Sequence, residues 1–171
     1  MPRVRLIEER EDTSPSQVEA FDHIAASRGG QMIRPFAAMI HRPEIARAAA
    51  DLGAVIRFES TLSDRDREIV ICTTAIERDC PFEWESHTPI ARRAGVPDAT
   101  LQSIESGMPV EDADDALLVD FTRELCRNGK VGETVFERVW SRLDEEGTVE
   151  LAAVIGYYTM LALFMNACDA C

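Results

Sequence analysis

Residues capable of acid–base and thiol chemistry gather in one short part of the sequence. Glu68 is followed by Cys80, and then by Glu83 and His87. On a helix that begins after Cys80, Glu83 and His87 would share one face, about one turn apart. A carboxylate beside an imidazole fixes the tautomer of the ring and raises its basicity. This spacing therefore predicts a general acid–base pair, His87 and Glu83.

The thiol of Cys80 has a second possible role. At a helix N-terminus it would feel the positive end of the helix dipole, which favours the thiolate. Glu68 would reach the same pocket if its helix packs antiparallel to the next one. A purely structural interpretation remains open from the residues alone, because Glu83 stands where a glutamate caps a helix and Glu68 could be another carboxylate near a helix start.

Two predicted helices must position these residues. Ser63 is a typical N-cap, followed by acidic residues where the helix dipole favours them, and this helix should run to about Asp79. Pro81 fits the first position of the next helix, with Cys80 as its N-cap. That helix should reach Arg93 or Ala94, where Gly95 ends it.

The rest of the chain also shows helical spacing. No stretch alternates polar and apolar residues over six positions, which predicts an all-α fold of about seven or eight helices. Residues 1–13 are mostly charged and are predicted to form an N-terminal arm, with residues 14–171 forming a single domain. Separate helices are predicted around residues 135–143 and 148–167. The latter is apolar nearly all round, which favours a central position or a subunit interface.

Composition excludes several classes of function. The net charge of −13 would repel nucleic acids and anionic membranes, and Lys130 is the only lysine. No apolar run of membrane-spanning length and no signal-peptide pattern is present, so we expect a cytoplasmic protein. The five cysteines are irregularly spaced, which indicates reduced thiols. Cys168 and Cys171 lie at an expected frayed end, without a second pair of zinc ligands.

The order and spacing of Glu68, Cys80, position 83 and His87 resemble the E-(x)11-C-x-x-C-x-x-x-H pattern of AhpD-like alkylhydroperoxidases, within the carboxymuconolactone decarboxylase superfamily. The resemblance extends through Ala94 to Pro97 and into the tail from Glu150 to Ala162, and covers roughly residues 35–165. It implies an AhpD-like helical bundle that assembles as a homo-oligomer, either a trimer or a hexamer, and needs no cofactor or metal.

One departure from the pattern decides the expected chemistry. In the peroxidase branch, the second cysteine of the CxxC pair attacks the peroxide and the first resolves the sulfenic acid. Glu83 occupies that second position here, so a two-thiol cycle through a CxxC disulfide is unavailable. The decarboxylase branch tends to carry E-x-x-x-H without the thiol pair, and Glu83 to His87 is similar to that.

The leading hypothesis is a cofactor-independent, decarboxylase-like enzyme acting on a small carboxylated lactone or a related acid. His87, held by Glu83 or Glu68, would deliver a proton to the carbanion or dienolate left by decarboxylation. One alternative is a peroxidase that uses Cys80 as a single thiol, and another is a non-catalytic binding protein on the same scaffold. A substrate carboxylate would favour an arginine partner, with Arg34, Arg57 and Arg67 as the candidates near the motif.

Overall fold

The computed structural model describes all 171 residues and contains helices without any strand. This confirms the predicted all-α class and the number of helices. After a short 3-10 turn at Arg10–Asp12, the helices are α1 (Val18–Ala26), α2 (Arg34–Met39), α3 (Pro43–Phe58), α4 (Asp64–Glu77), α5 (Pro81–Arg93), α6 (Asp98–Ser106), α7 (Ala113–Asn128) and α8 (Glu133–Ala167).

The chain forms two compact units. The first comprises Met1–Glu59 together with Phe164–Cys171, and the second comprises Ser60–Leu163. Within the first unit, the segment predicted as an arm packs on its neighbours. Its Ile7 is buried, and the Ile7 backbone N–H donates to the Ala37 carbonyl at 3.0 Å. The division into an arm and a single domain stays a prediction.

The C-terminus is ordered in the first unit, so the expectation of a frayed end was wrong. Ala170 is fully buried, and its carbonyl accepts a hydrogen bond of 2.7 Å from Arg34 Nε. The Cys168 carbonyl accepts a second bond of 2.7 Å from the backbone of Arg3. Side-chain and backbone donors far away in sequence therefore hold the last turn, which the local sequence could not reveal.

Helix α4 is the centre of the second unit. Ser63 caps it as predicted, since its hydroxyl accepts a hydrogen bond from the Asp66 backbone at 3.0 Å. Every residue from Asp66 to Ala75 is buried, and the helix packs chiefly against α5 and α7. Helix α5 follows after a short turn at residues 78–80. A helix covered on all sides explains why α4 carries little amphipathic pattern.

Helix α8 joins the two predicted C-terminal helices through a kink. Asp144 has φ 58° and ψ −165°, a non-helical conformation, and its carboxylate accepts hydrogen bonds from the backbones of Glu146 and Gly147. The predicted break is thus a kink at which Asp144 caps the second half of the helix. By length and composition α8 could cross a membrane, but half of the apolar window is buried inside the protein, as in a core helix.

Candidate active site

Glu68 of α4 and His87 of α5 form the centre of the candidate site. His87 Nδ1 lies 2.8 Å from Glu68 Oε2, and both side chains are buried. The α4–α5 turn brings the two helices back against each other, so that residues nineteen apart in sequence meet. The expectation that Glu68 reaches the pocket of His87 through this packing therefore holds in the structure.

Glu83 faces the opposite edge of the same imidazole ring. Its Oε2 lies 3.5 Å from His87 Nε2, at the i,i+4 spacing predicted from the sequence, and the side chain is 5% exposed. This separation exceeds an ordinary N–H···O hydrogen bond, whereas the contact of His87 with Glu68 falls within that range. Glu68 is consequently the group that fixes the ring, and Nε2 is the nitrogen held more loosely.

Each ring nitrogen of His87 faces a carboxylate, at 2.8 Å from Glu68 and 3.5 Å from Glu83. Two ionised carboxylates beside a neutral imidazole would place two unbalanced negative charges in a buried site, which is unfavourable. A proton on the ring lets both nitrogens donate toward a carboxylate and leaves one net negative charge. Glu68, His87 and Glu83 thus bring together the types of side chain that general acid–base chemistry uses.

Cys80 lies at the start of the helix that carries Glu83 and His87. It is the N-cap residue of α5 and is almost completely buried, with 1% of its surface exposed. Its backbone N–H donates to the Ala75 carbonyl, and its carbonyl accepts from the Trp84 backbone. None of the five cysteines forms a disulfide. Burial at the helix N-terminus agrees with the predicted location of the thiol, but its proposed reactivity stays a prediction.

Two residues of the site were missed by sequence reasoning. The Tyr158 ring lies edge-on to His87, with ring centroids 5.1 Å apart and planes at 86°. Cys72 stands one turn after Glu68 on α4. Burial, reinforced by the charge of Glu68, raises the pKa of the Cys72 thiol to about 12, although a hydrogen bond with Thr88 opposes the shift. The i,i+4 spacing of Glu68 and Cys72 was a usable signal, whereas no local pattern indicated Tyr158.

The three candidate arginines have different surroundings. Arg34 donates to the Ala170 carbonyl, and the Arg57 guanidinium lies 5.7 Å from the centre of the Phe58 ring. Both belong to the first unit, whereas Arg67 belongs to the second, as does the Glu68–His87 pair. No group of three or more His, Cys, Asp or Glu side chains is arranged to hold a metal ion.

Comparison with known proteins identifies related folds. Residues 43–117 match the model of the carboxymuconolactone decarboxylase family, a segment that contains Glu68, Cys80, Glu83 and His87. No curated protein matches the sequence.

Three solved structures have similar folds at low sequence identity. An "alkylhydroperoxidase AhpD core: uncharacterized peroxidase-related protein" from Ralstonia eutropha JMP134 has a TM-score of 0.78 and 17% identity, covering 100% of this chain and 93% of its own. An uncharacterized peroxidase-related protein from Silicibacter sp. TM1040 has a TM-score of 0.77 and 18% identity, covering 99% and 91%. The debrominase Bmp8 has a TM-score of 0.75 and 16% identity, covering 97% and 91%. At such identities the likeness concerns the fold, which is the AhpD-like helical fold.

Proposed function

Because residues 43–117 match the model of the carboxymuconolactone decarboxylase family, we propose that the chain is a cofactor-independent, decarboxylase-like enzyme. Its substrate would be a small carboxylated lactone or a related acid. His87 and Glu83 would perform the proton transfers, and Glu68 would orient the ring. The reaction is part of the proposal, because the same fold can support several different chemistries.

One observation carries the proposal: a buried histidine has a carboxylate at each ring nitrogen. The contact of 2.8 Å with Glu68 fixes the ring, and the longer contact of 3.5 Å with Glu83 leaves Nε2 able to exchange its proton. Exclusion of water from such a site strengthens these interactions. The same histidine and carboxylates at an exposed surface would not support the proposed acid–base role in this way.

The proposed reaction balances without a cofactor. The bond between the substrate carbon and its carboxylate breaks, carbon dioxide leaves, and the electron pair passes into a conjugated carbonyl to form a dienolate. His87 Nε2 then gives its proton to the carbon, and Glu83 returns a proton from solvent to the ring. A positioned acid of this kind contributes roughly 10²–10⁴-fold to a rate.

The second candidate is a peroxidase that uses Cys80 as a single thiol. Cys80 lies at the N-terminus of α5, and its thiolate would attack the outer oxygen of a hydroperoxide. The products are an alcohol and a cysteine sulfenic acid. Two external thiols must then return the sulfenic acid to the thiol, forming water and an external disulfide. This candidate is considered because two of the solved structures with a similar fold are described as peroxidase-related proteins.

Cys72 cannot easily serve as the resolving thiol for Cys80. A hydrogen bond links Cys72 to Thr88, which lies eight residues after Cys80. Eight residues correspond to about 12 Å along a helix axis. A disulfide requires Cβ atoms roughly 4 Å apart, so Cys72 and Cys80 stand too far apart along α5 to form one.

The third candidate is a binding protein that has lost the reaction. A solvent-facing Glu83 with His87 among apolar side chains would have favoured it. Glu83 is instead buried and lies beside the imidazole ring, which argues for retained acid–base chemistry.

The deciding experiment compares His87→Ala with Cys80→Ser. Purified protein is assayed with carboxymuconolactone, by carbon dioxide release, and with an organic hydroperoxide plus a thiol reductant. The proposal expects lactone turnover that His87→Ala abolishes and Cys80→Ser leaves intact, with His41→Gln as the matched control. Hydroperoxide consumption abolished by Cys80→Ser would establish the thiol enzyme instead.

The protein is also proposed to be a cytoplasmic homo-oligomer, a trimer or hexamer, without nucleic-acid or membrane partners. Exposed apolar residues on α8, Val149, Met160 and Leu163, support an interface between copies. Light scattering should give a trimeric or hexameric mass for the wild type and a smaller mass for Leu163→Glu. A monomeric wild type would contradict this part.

A further inference from the structure

The second half of α8 is joined by hydrogen bonds to both ends of α4. Just before α4, the Thr61 backbone N–H donates to Glu150 Oε2 at 2.8 Å, about two turns before Tyr158. At the other end of α4, Arg78 Nε donates to the hydroxyl of Thr159 at 3.4 Å. Because one contact precedes Tyr158 along α8 and the other follows it directly, the position of Tyr158 relative to α4 is fixed.

Tyr158 is the α8 side chain that contacts the ring of His87. The two ring centroids are 5.1 Å apart and the planes are nearly perpendicular, at 86°. The ring of Tyr157 lies perpendicular to that of Tyr158 in turn, with centroids 5.2 Å apart. Both tyrosines are buried, and perpendicular packing is a favourable arrangement of aromatic rings. Tyr158 is therefore held by a second ring while it contacts the imidazole.

The orientation of the His87 ring depends on its surroundings. The last torsion of a histidine side chain has only broad intrinsic preferences, so contacts must set the plane of the ring. The hydrogen bond with Glu68 restrains Nδ1. The distance of 3.5 Å between Nε2 and Glu83 is longer than an ordinary hydrogen bond and restrains the opposite edge less. The contact with Tyr158 supplies a third restraint, against rotation of the ring.

We propose that Tyr158 is a positioning residue whose ring holds the His87 imidazole in the plane that directs Nε2 toward Glu83 and the reacting carbon. This inference rests on the proposed function and adds a residue to its site. Tyr158 acts through His87, which transfers the proton. Precise placement matters because an error of about 1 Å can lower a rate about 10²-fold. A catalytic side chain needs neighbours whose own positions are fixed by packing, as the position of Tyr158 is.

The test compares Tyr158→Leu with Tyr158→Phe in the full chain. Carbon-13 relaxation of the labelled His87 ring measures its mobility without substrate. The order parameter of the ring should be about 0.85 in the wild type, as for a rigid group, and below about 0.6 in Tyr158→Leu. Turnover of carboxymuconolactone per folded molecule should fall about 10–100-fold in Tyr158→Leu, in kcat more than in KM. Tyr158→Phe keeps the ring and should restore most of both losses.

The matched control is Phe21→Leu, which removes a buried aromatic ring of α1 in the first unit. It should lower the unfolding free energy but leave the mobility of His87 and the turnover per folded molecule unchanged. If Tyr158→Leu fails to fold, Tyr158→Met is measured in its place under the same criteria, since its flexible side chain fills irregular space.

The outcomes separate this inference from the proposed function. An unchanged order parameter of His87 in Tyr158→Leu overturns the role of Tyr158, as does a more mobile ring with unchanged turnover. A loss in Tyr158→Phe equal to that in Tyr158→Leu also overturns it, because the ring would then not be the group that acts. A wild type without lactone turnover rejects the proposed reaction, and in that case a His87 ring made mobile only by loss of the Tyr158 ring still supports the positioning contact.

Discussion

Two clusters with buried carboxylates extend from the first turns of α4, and they differ in the partner of the carboxylate. Asp115 is fully buried and is held by Arg65, which donates through two nitrogens, and by the Thr100 hydroxyl at 2.9 Å. Glu68 is also buried but is paired with His87, whose second nitrogen faces Glu83. Arginine is permanently charged, whereas histidine gains and loses a proton near neutral pH. The first cluster carries a fixed charge pair, whereas the second contains a side chain that is able to change its charge.

Replacing Asp115 should give the largest loss of stability. Asp115→Ala leaves the guanidinium of Arg65 and the hydroxyl of Thr100 without their acceptor. Breaking a buried pair costs about 3–5 kcal/mol, and the partial exposure of Arg65 favours the lower end. Urea denaturation should therefore show a loss of about 3 kcal/mol in the unfolding free energy. Activity per folded molecule should stay unchanged.

The matched control for this prediction is Asp114→Ala, an exposed neighbour on the first turn of α7. Its loss should be below about 1 kcal/mol, as for most surface positions. Equal losses at Asp114 and Asp115 would mean that the Arg65 pair has no special role in stability.

Replacing Glu68 should reduce turnover strongly and change stability little, the opposite of the result expected for Asp115. Glu68→Gln keeps the shape of the side chain and can still accept a hydrogen bond from His87, but it removes a buried negative charge. We expect lactone turnover to fall roughly 10–100-fold, because the amide no longer favours the protonated ring. The unfolding free energy should stay within about 1 kcal/mol of the wild type or rise, as is common when a charged active-site residue is neutralised.

A stability loss of Glu68→Gln as large as that of Asp115→Ala, without loss of turnover, would assign both clusters a structural role. The comparison requires steady-state kinetics and denaturation on the same preparations.

Ionisation of the Cys72 thiol should make the stability of the protein depend on pH. Its thiol has a pKa near 12 in the folded protein, against 9.0 ordinarily, because of burial and the charge of Glu68. The unfolded chain therefore loses this proton first, and the stabilising contribution, complete below pH 9, is lost as pH rises from 9 toward 12. The slope approaches about 1.4 kcal/mol per pH unit. Cys72→Ala should lack this component between pH 9 and 10.5.

Denaturation of the two proteins at half-unit pH intervals provides the measurement. Parallel curves for the wild type and Cys72→Ala would show that the thiol ionises equally in the folded and unfolded chains. Cys171→Ala, at an exposed thiol, is the matched control and should follow the wild type.

The sequence was sufficient to predict the elements around the site but only part of its contacts. The helix boundaries could be predicted from residue types that favour helix ends, namely Ser63, Pro81 and Gly95. Helix geometry alone places Glu83 and His87 on the same face of α5. Tyr158 comes from a helix some seventy residues later, and its contact with His87 depends on tertiary packing that no local pattern encodes.

The smallest expected effect concerns the turn between the two helices of the site. Asp79 has φ 49°, whereas glycines occupy comparable left-handed conformations at the ends of α6 and α7, where Gly107 has φ 72° and Gly129 has φ 70°. A residue with a Cβ is strained there, so Asp79→Gly should raise the unfolding free energy by about 0.5–1 kcal/mol, with Gly107→Asp as the reverse control. If the strain is only conformational, turnover should change less than about twofold, since backbone hydrogen bonds at Cys80 still fix the start of α5. A gain in stability accompanied by a large fall in turnover would place the Asp79 carboxylate, or the rigidity of its turn, within the proton-transfer machinery rather than the scaffold.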